Sequence, residues 1–553
     1  MTNDNYNKAE VLVVGGGTAG LSCAIQLKIL RPDIEVCVVE KGAELGNHNL
    51  SGAVLEKEPL HTLLDAASPG WQDSDAAKDV LANKVDKDDI LFLLSKSFGM
   101  NIHFMIRLAK LFGLGFGLMT HLSDYSLSIS KLTKWLGQIA KQLGVEVLCG
   151  FAAADIFTDD IGASAVKLVD QGINKEGHKQ PNYIEGETIK AKFIVLAEGC
   201  DGLLTEKFVN KAGLVRKANQ LYSVGVKELI KVSPEQYAKF TAGRVMHAMG
   251  YPIWTPVIGP GMFGGGIVYA GQAEHLAVGM IVGADWKYYN FNPQDALTLF
   301  KEHRRVKRFI EGGTVVEAGA KMIPEGGWYA VPRDPQTNAI GKGNVIIIGD
   351  GAGFVNMLKI KGLHNAIDSG VQAARAIVDL LDTPKQAAAR YTELILKSNV
   401  AKEMKRAAKF RQVVAKFGPL QGMPLSMLGT LLPVFNVEKD YKAMKAIPYR
   451  LKPNQSFDKD TFTAVAATGH REEQPSHLTI LDSEVCRTKC TPKFMSPCIT
   501  FCPAGVYESV REVVKPANPS NCLHCKTCQR KCPFDNIRWT CPEGTGGPRY
   551  KQM

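Results

Sequence analysis

Four cysteines close to the carboxyl end of the chain constrain its fold more than any other feature. They follow the C-x2-C-x2-C-x3-C-P spacing of bacterial ferredoxins, at Cys522, Cys525, Cys528 and Cys532. In that spacing three thiolates hold one iron–sulfur cluster and the fourth thiolate reaches a second cluster. A looser copy of the run lies upstream and also ends in Cys-Pro, with thiols at Cys486, Cys490, Cys498 and Cys502. The segment from Cys486 onwards therefore predicts an iron–sulfur module that carries electrons.

The other cysteines and the size of the chain argue against a disulfide framework. The chain has 553 residues and 13 cysteines, nine of them between Cys486 and Cys541. Ligand spacing in so large a chain favours metal binding, because disulfide-rich secreted scaffolds are small. Cysteines scattered through the first 200 residues are predicted to be reduced core residues: Cys23, Cys37, Cys149 and Cys200. Cys541 is left over from both runs, and we expect it to be structural.

A Gly-rich loop near the amino end predicts a dinucleotide site. Val11–Val14 reads as a short buried strand, and Leu21–Leu30 has helical periodicity. Between them, the G-x-G-x-x-G positions are filled by Gly15, Gly17 and Gly20. The first glycine permits a tight turn, the second lets the backbone approach a pyrophosphate, and the third lets the helix pack on the strand. The pyrophosphate then lies at a helix N-terminus, where free N–H groups favour anions.

Three acidic residues at the ends of predicted strands support the dinucleotide site, and the later two favour FAD over NAD. The strand Glu35–Val39 ends in Glu40, at the distance from the loop where a carboxylate accepts hydrogen bonds from ribose hydroxyls. Two later strands end in acidic Gly-rich turns, which contain Asp201 and the pair Gly349-Asp350. Similar turns occur in flavoproteins that resemble glutathione reductase, where the later Asp bonds the ribityl–pyrophosphate part of FAD. The alternative is a pair of ordinary strand-to-helix turns.

Three uncharged segments raise the question of a membrane. Residues 245–273 contain no charged side chain, but their many glycines and prolines exclude one lipid-exposed helix. We expect a buried sheet and a glycine-lined pocket there. Residues 417–437 contain three prolines and predict a broken, half-inserted element, and residues 111–123 predict an interfacial patch with basic flanks. The alternative for these two is protein core. Together with a net charge of +11, they favour peripheral attachment to a lipid bilayer surface.

The start of the chain bears on its location. Residues 1–8 are polar, and they contain neither a secretory signal nor an arginine-rich stretch typical of transit peptides. We therefore expect an intracellular protein that is prokaryotic or already mature. No nucleic-acid motif is present in the sequence, so we expect no nucleic-acid partner.

Segments along nearly the whole chain resemble the electron-transfer flavoprotein–ubiquinone oxidoreductase family, which is also called electron-transferring-flavoprotein dehydrogenase. Besides the Gly15 loop, the resemblance is carried by residues 50–53, 144–147, 197–200, 243–245, 311–313 and 324–327. Its most specific segments are residues 359–362, 475–478, 501–507, 522–528 and 542–544. Chance does not place these motifs in this order.

The resemblance implies a fold of class α/β and α+β. A glutathione-reductase-like FAD-binding fold would be interleaved with a β-rich quinone-binding domain and followed by a C-terminal ferredoxin-like 4Fe-4S domain. We expect FAD-binding parts at 1–95, 131–220 and 331–385, and a quinone-binding domain at 221–330. We expect membrane-contacting segments at 96–130 and 386–455 and the iron–sulfur domain at 456–553.

The resemblance also implies roles for particular residues. Cys502, Cys522, Cys525 and Cys528 would ligate a [4Fe–4S] cluster. Lys361 and Gly362 match the segment that opens a helix beside the flavin ring, where a helix N-terminus stabilises negative charge. Gly264 and Gly265 match the pair whose backbone approaches the quinone. The remaining expected FAD contacts are Lys41, Ser51 and Gly52.

The chain departs from the family in two places. Relatives known for one cluster lack the additional cysteines, and here these cysteines complete a second ferredoxin-like half. By the crossed ligation of two-cluster ferredoxins, a second [4Fe–4S] cluster would be held by Cys486, Cys490, Cys498 and Cys532. The alternative is a single cluster with spare thiols. The second departure is Asp350, which stands where mammalian-type members have no acid.

We expect this chain to pass electrons from a reduced electron-transfer flavoprotein, through iron–sulfur and FAD, to ubiquinone or menaquinone in a membrane. Such a reaction links the dehydrogenation of fatty acids and amino acids to the respiratory chain. The flavin does the chemistry, so no catalytic side chain is expected. The resulting location is peripheral, on the cytoplasmic face of a prokaryotic inner membrane. Two alternatives stay open: a ferredoxin-fed flavin reductase of isoprenoid double bonds, and a non-catalytic electron-transfer subunit of a larger complex.

Overall fold

A computed structural model describes most of the chain. It covers residues 8–50, 54–111, 119–159, 162–255, 259–272, 274–511 and 513–553. The expected FAD contacts Ser51 and Gly52 lie outside these ranges, as does most of the predicted interfacial patch at 111–123.

The amino-terminal loop lies in an eight-stranded sheet with a parallel centre. Five strands run parallel, in the order Val345–Ile347, Thr188–Leu196, Lys8–Val14, Val36–Glu40 and Glu146–Cys149. Three further strands extend this sheet: Gly341–Lys342, Ala153–Thr158 and Ala163–Leu168. The central strands are almost entirely apolar, which is typical of parallel sheets covered by helices on both faces.

The helix that follows the Gly-rich loop packs directly against a second long helix. The first helix is Thr18–Leu30 and the second is Leu363–Asp379. Most of their side chains are buried between the parallel sheet and the neighbouring helices. The C-terminal part of the chain therefore returns to the dinucleotide fold, as an interleaved arrangement requires.

A second sheet has seven strands and is mainly antiparallel. Its strand order is Thr314–Pro324, Tyr222–Lys231, His275–Gly283, Gly264–Ala270, Arg244–Gly250, Lys87–Leu93 and Gly99–Asn101. The uncharged stretch that begins at Val245 thus forms two neighbouring strands in the middle of this sheet. Lys87–Leu93 joins this sheet from within the segment assigned above to the first FAD-binding part, and the domain boundaries stay predictions.

The iron–sulfur segment is built from short elements. Two small antiparallel pairs join Leu478–Ile480 to Ile537–Trp539 and Tyr507–Val510 to Val513–Pro516. The short helices around the cysteines are Ser483–Val485, Cys486–Cys490, Thr491–Phe494, Pro497–Phe501 and Thr527–Lys531. Apolar residues of this segment share one core with the seven-stranded sheet. The segment is therefore packed into the molecule rather than attached by a linker.

The other helices cover the sheets and connect them. They are Lys57–Ala67, Asp75–Val80, His103–Leu111, Ile129–Gln142, Leu203–Lys211, Pro234–Phe240, Pro293–Glu302, Arg304–Ile310, Gly349–Ala352, Ala387–Lys397, Asn399–Arg406, Phe410–Ser426 and Lys459–Val465. Small sheets pair Val54–Leu55 and Asn83–Lys84 with Tyr125–Ser126, and Gln171–Ile173 with Lys179–Ile184. The predicted broken element is a helix interrupted at Gly418, where φ is 78°. Within the described ranges, none of the helices is long and apolar enough to cross a membrane.

These elements confirm the predicted fold class. A Rossmann-like α/β layer contains the Gly-rich loop, a mixed sheet lies beside it, and the cysteine-rich segment follows. The first strand is longer than predicted and begins at Lys8, because the backbone of Lys8 and Ala9 pairs with the neighbouring strand Thr188–Leu196. The first helix begins at Thr18 rather than Leu21, because the loop's own small residues form the first helical turn.

Candidate functional site

A deep cavity opens at the carboxyl ends of the parallel strands. Val14, Glu40 and Ala197, which end three of these strands or directly follow them, line the cavity. Its opposite wall comes from the seven-stranded sheet, including Ile267 and Ile281. Ligands of open α/β sheets bind at this edge. The cavity therefore lies between the two sheets, where a dinucleotide can reach both.

Each of the three glycines of the loop is required for a different geometric reason. Gly15 has φ of 113°, and a Cβ there would lie 2.4 Å from the Ala197 carbonyl oxygen. A Cβ at Gly20 would lie 2.1 Å from the Gly15 carbonyl oxygen, so this position needs the close helix–strand approach that only glycine allows. A Cβ at Gly17 would meet no described atom within 4 Å, and Gly17 lines the cavity. This geometry fits a pyrophosphate at Gly17.

Glu40 and Lys41 both border the cavity. The Glu40 carboxylate accepts hydrogen bonds from the backbone N–H groups of Gly16, at 2.9 Å, and Gly42, at 2.7 Å. These bonds fix its position at the end of the second strand. The Lys41 ammonium lies 5.3 Å from the centre of the Trp539 ring, which also lines the cavity. The two residues thus mark the end of the cavity that faces the iron–sulfur segment.

Five lysines give the cavity a cationic lining. They are Lys41, Lys227, Lys321, Lys361 and Lys526. Burial lowers the pKa of Lys227 to about 8, against the opposing effect of Glu317. Burial, with the neighbouring ammonium groups of Lys41 and Lys526, lowers the pKa of Lys321 to about 8. Buried ammonium groups favour an anionic ligand, since an opposite charge restores the charged form. The donor set therefore fits the pyrophosphate and the flavin ring of FAD.

Both acidic turns reach the cavity, the earlier one through residues 198–200 and 202. Asp350 of the later turn also lines the cavity, and burial raises the pKa of Asp350 to about 6. Gly349 lies behind it, where its N–H donates to the Ser369 hydroxyl at 3.0 Å. Gly349 has φ of 58°, and a Cβ there would lie 2.9 Å from the Cβ of Ala19. Gly349 therefore allows the first helix to approach closely.

Asp201 does not join the cavity, although its turn was expected to bind the cofactor. Its carboxylate is buried and forms an ion pair with the Arg530 guanidinium, with one oxygen 3.0 Å from Nε. Gln529 also donates to it at 3.3 Å. The φ of Asp201 is 54°, a left-handed conformation that accompanies this contact. Asp201 thus connects the flavin fold to the iron–sulfur segment, while its neighbours Cys200 and Gly202 line the cavity. Its expected role in FAD binding stays a prediction.

Lys361 and Gly362 lie where the long helix Leu363–Asp379 begins. Gly362 is its N-cap and lines the cavity, so the positive end of a 17-residue helix faces the cavity. The Lys361 ammonium is buried and binds the carboxylates of Glu56, at 3.0 Å, and Asp124, at 2.5 Å. The side chain of Lys361 therefore fixes the start of the helix, and the helix terminus faces the cavity.

Gly264 and Gly265 begin a strand whose later residue Ile267 lines the cavity. Gly265 pairs with Ile281, another lining residue. A Cβ at Gly264 would lie 2.0 Å from the Ile281 carbonyl oxygen, and one at Gly265 would lie 2.3 Å from the Ala248 carbonyl oxygen. Both glycines are half-exposed at the end of the strand, beside the cavity wall rather than on it.

The fold brings Cys502, Cys522, Cys525 and Cys528 together. We call these four thiols the first thiol set. Burial, and next the thiol of Cys525, raise the pKa of the other three, to about 12 for Cys522. Backbone N–H groups of Ala504 and Val506 point at the Cys502 sulfur and oppose the rise in its pKa. The Thr527 hydroxyl donates to the Cys525 sulfur at 3.3 Å. Four thiols with donors to their sulfurs fit an iron–sulfur cluster.

The residues between these thiols reach the flavin cavity. His524 and Lys526 have φ of 56° and 59°, so this loop curls around the thiols. The His524 ring stacks edge-on against Trp539, with centroids 4.9 Å apart. The Lys526 ammonium lies 5.1 Å from the centre of the same Trp539 ring. Lys526 and Trp539 both line the cavity, so the first thiol set and the cavity share a wall.

A second group of thiols lies beyond the first. We call Cys486, Cys490, Cys498 and Cys532 the second thiol set, and all four are buried. They line one small cavity, whose other lining residues are almost all apolar. Burial, and next the thiols of Cys532 and Cys486, raise the pKa of Cys490 to about 12. The structure thus separates the eight cysteines into the two crossed sets that ferredoxin spacing predicts.

Two exposed apolar segments flank a stretch of chain that borders the cavity. Residues 355–362 supply several lining residues. On one side, Ile360 packs with Ile106 of the helix His103–Leu111, whose outward side chains Phe104 and Leu111 are 75% and 79% exposed. On the other side, Met357 packs with Phe410 and Met423, and the chain beyond them carries Leu431, which is 84% exposed.

Several residues of the site have only a weak signal in the sequence. Lys227 and Lys321 each interrupt a strand whose neighbouring residues are buried, and a lysine inside a buried strand is the signal that could have found them. Trp539 and His48 line the cavity from distant parts of the chain and have no local pattern. Arg530 lies between two cysteines of the run, where its partner cannot be predicted from spacing.

Comparison with protein families gives three matches along the chain. Residues 454–551 match a family profile described as "Electron transfer flavoprotein-ubiquinone oxidoreductase, 4Fe-4S". Residues 222–323 match one described as "ETF-QO, ubiquinone-binding", and residues 10–55 match an FAD binding domain. The three matches fall on the cysteine-rich segment, on the second sheet and on the Gly-rich loop.

Curated relatives are similar over nearly the whole chain. A probable electron transfer flavoprotein-ubiquinone oxidoreductase of Acinetobacter baylyi is 33% identical, over 98% of each chain. The electron transfer flavoprotein-ubiquinone oxidoreductase of Pseudomonas aeruginosa is 33% identical, over 99% of each. The mitochondrial protein of that name from Homo sapiens is 32% identical, over 99% of this chain and 89% of its own length.

Among solved structures, the fold is similar to that of a geranylgeranyl bacteriochlorophyll reductase-like protein from Thermoplasma acidophilum. The TM-score is 0.55 at 19% identity, covering 76% of this chain and 91% of the other. At this identity, the likeness concerns the fold alone.

Proposed function

Since this chain belongs to the electron transfer flavoprotein–ubiquinone oxidoreductase family, we propose that it oxidises a reduced electron-transfer flavoprotein and reduces a membrane quinone. Two electrons leave the donor protein, and one quinone takes up two electrons and two protons to become quinol. The observation that carries the proposal is the shared wall of the first thiol set and the cavity, formed by Trp539 and Lys526.

FAD is the cofactor of the cavity, and a [4Fe–4S] cluster is the cofactor of the first thiol set. When bound, the flavin accepts electrons singly or in pairs, and the cluster carries them one at a time. Gly15, Gly17 and Gly20 shape the backbone for a pyrophosphate. Glu40 lies where its carboxylate would accept hydrogen bonds from the ribose hydroxyls. Asp350 supplies a second acidic contact.

The cavity stabilises negative charge at its ligand. Lys227 and Lys321 place two buried ammonium groups on the wall formed by the second sheet. The N-terminus of the helix Leu363–Asp379 adds its dipole at Gly362. An electron placed in this cavity is therefore countered by fixed positive groups, which cost no rearrangement when the charge appears.

Water is excluded by the apolar walls. Ile267, Ile281, Met322, Val355 and Met357 line the cavity among its polar residues. Trp539 closes the side towards the first thiol set. A dry cavity strengthens the electrostatic interactions inside it and prevents loss of electrons to solvent.

The quinone reaches the cavity from a lipid surface. Support comes from residues 355–362, which border the cavity and lie between two apolar segments that are exposed to solvent. Exposed apolar patches of this kind mark interaction sites, and a lipid-soluble substrate requires one. We propose that His103–Leu111 and the chain around Leu431 lie in the bilayer interface. Location on the cytoplasmic face of a prokaryotic inner membrane remains a prediction carried by the sequence alone.

The function is tested with the purified holoprotein. Reduced electron-transfer flavoprotein and a short-chain quinone are mixed with it without oxygen, and quinol formation is followed by absorbance. The expected result is catalytic quinol formation that depends on all three components. A holoprotein that is full in FAD and iron but forms no quinol would contradict the proposal. Ferredoxin-driven reduction of an isoprenoid double bond, in place of quinone turnover, would contradict it in favour of the reductase.

Membrane attachment is tested with two charge substitutions and a matched control. Phe104→Glu and Leu431→Glu each place a carboxylate on a proposed lipid-contacting segment. The control Ile184→Glu places one away from these segments, at a 63% exposed position on the strand Lys179–Ile184. Burial of a large apolar side chain stabilises binding by about 1.5–3 kcal/mol, so sedimentation with vesicles should fall roughly tenfold or more for the first two variants.

The control variant Ile184→Glu should sediment as the wild type does. All three variants should keep their activity with a soluble quinone. Equal sedimentation of all three variants would remove the support for these segments as the lipid contact.

A further inference from the structure

The four cysteines of the second thiol set line a common cavity. Cys486, Cys490, Cys498 and Cys532 come from three separate short elements, yet all four line the same small cavity. The cavity's other lining residues include Ile480, Val485, Pro497, Val514 and Phe534. Buried cysteines in an ordinary core pack against apolar neighbours as small hydrophobic residues. Four thiols that converge on a common cavity need a different explanation.

Hydrogen-bond donors point at the sulfurs of this set. The Asn536 backbone N–H donates to the Cys532 sulfur at 3.3 Å. The Asn536 side-chain amide donates to the Cys486 sulfur at 3.4 Å and to the Asp482 carbonyl oxygen at 2.7 Å. Asn536 is buried, so its amide is held in this orientation. Donors to sulfur are typical of thiolates that carry charge, and they tune iron–sulfur clusters.

Each thiol of this set interacts with the others and with no disulfide partner. All cysteines of the chain are free thiols in the structure. Thiolates at these four positions would repel one another, unless a metal displaced their protons and balanced their charge. The arrangement therefore has the donor chemistry of a metal site.

Two short helices couple this set to the first. The helix Pro497–Phe501 presents Cys498 to the second set, and Cys502 follows its last residue. The helix Thr527–Lys531 carries Cys528 of the first set, and Cys532 of the second follows it. Residues four apart on a helix lie about 5–6 Å apart at Cβ, so the two sets are immediate neighbours.

We propose that Cys486, Cys490, Cys498 and Cys532 bind a second [4Fe–4S] cluster. The inference deepens the proposed function and rests on it for the cluster of the first thiol set. The second site does not border the flavin cavity, because none of its four cysteines lines that cavity. The first set does border it, through Lys526 and Trp539. The two clusters and the flavin would therefore lie in a row, with the second cluster at the far end.

The proposal is tested by counting iron and sulfide in the purified holoprotein after anaerobic reconstitution. Each [4Fe–4S] cluster contributes four irons, so the wild type should hold about eight irons per chain. Cys490→Ala and Cys498→Ala should each hold about four. A matched control, Cys37→Ala, removes a buried thiol outside both sets and should keep about eight.

Electron paramagnetic resonance of the fully reduced wild type supplies a second measurement that needs no variant. Two neighbouring reduced clusters interact magnetically, so the expected spectrum is broadened and split relative to that of Cys490→Ala. A wild type with about four irons and one uncoupled spectrum would overturn the proposal. Zinc in place of iron at these four cysteines would also overturn it.

FAD content and quinone turnover are measured on the same preparations. A protein with one cluster, full FAD and normal turnover would overturn the second site and leave the proposed function standing. A protein with two clusters but no turnover with any quinone would overturn the proposed function and leave the second site standing.

Discussion

The two thiol sets come from one repeated spacing, but the fold gives them different surroundings. The first set is interleaved with polar residues: His524 and Lys526 separate its cysteines and reach the Trp539 ring at the flavin cavity. The second set lines a cavity whose walls are almost all apolar, and Asn536 supplies its main polar contact. The same cysteine spacing thus produces one site that contacts the flavin cavity and one site that is enclosed by apolar residues.

The difference indicates that cysteine spacing brings each set of thiols together, while the residues between the cysteines determine what each set contacts. Arg530 lies between Cys528 and Cys532 and pairs with Asp201 of the flavin fold. Lys531, its neighbour, is fully buried and donates to the Trp286 carbonyl oxygen at 2.6 Å. Both contacts hold the cysteine segment against the rest of the molecule.

The largest expected effect is on turnover. Cys525→Ala removes a half-buried thiol of the first set. We expect this variant to lose iron and to reduce quinone turnover to the assay background while FAD is retained. The reason is that the first set shares a wall with the cavity. Equal turnover in Cys525→Ala and the wild type, measured with iron counted, would show that the first set is not connected to the flavin.

The next effect is on stability and concerns the contact between the flavin fold and the cysteine segment. Arg530→Ala leaves the buried Asp201 carboxylate without its ion-pair partner, although Gln529 still donates to it. We expect the free energy of unfolding to fall by about 2–3 kcal/mol, measured in urea.

The matched control for this variant is Arg538→Ala. Its ion pair with Asp535 is exposed on both sides, so the loss should stay below about 1 kcal/mol. Similar losses in the two variants would mean that the Asp201 contact does not join the two regions.

A third prediction concerns pH, because only the cavity beside the first set is cationic. The pKa of Lys321 is lowered to about 8 by burial and by Lys41 and Lys526, whereas Cys200 and Glu40 oppose the change. A lowered lysine pKa means that the charge is present below pH 8 and lost above it. Retention of FAD on dilution should therefore weaken on the order of tenfold between pH 7 and pH 9.

The variant Lys321→Met should weaken FAD retention at pH 7 and flatten the pH dependence. Lys397→Met removes an exposed lysine at the end of another helix and should leave the profile unchanged. A profile that is equally steep in all three proteins would assign the pH dependence to other groups.

The smallest effect separates the two sets by their hydrogen bonds to sulfur. Thr527→Val removes the donor to Cys525, and Asn536→Ala removes the side-chain donor to Cys486. A donor stabilises the more negative, reduced cluster, so its loss should lower the reduction potential of that cluster by about 20–60 mV. Redox titration followed by electron paramagnetic resonance should show each substitution acting on one cluster only. Shifts of both signals by both substitutions would mean that the sets are not separate sites.

Much of the fold and part of the site could be predicted from the sequence. Gly15, Gly17 and Gly20 identify the strand and helix beside them, because local steric constraints explain the glycine at each position. The cysteine spacing anticipates the two crossed groups, because ligand sets follow spacing along short helices. Fold class and family follow from many such local patterns taken in order.

The rest depends on contacts between distant segments, which carry no local signal. Asp201 sits in a turn that resembles a flavin-binding turn, yet its carboxylate pairs with Arg530 more than 300 residues later in the chain. Lys227 and Lys321 become part of the cavity only through the pairing of their strands. Gly264 and Gly265 stand beside the cavity wall because two neighbouring strands approach them closely.

We expect this one chain to hold a flavin and two [4Fe–4S] clusters. The most direct measurement is the number of electrons that the purified, oxidised holoprotein takes up in an anaerobic reductive titration. A flavin accepts two electrons and each cluster accepts one, so we predict about four electrons per chain for the wild type and about three for Cys490→Ala. Uptake of about three electrons by the wild type, the capacity of a flavin and one cluster, or of fewer, would contradict the account.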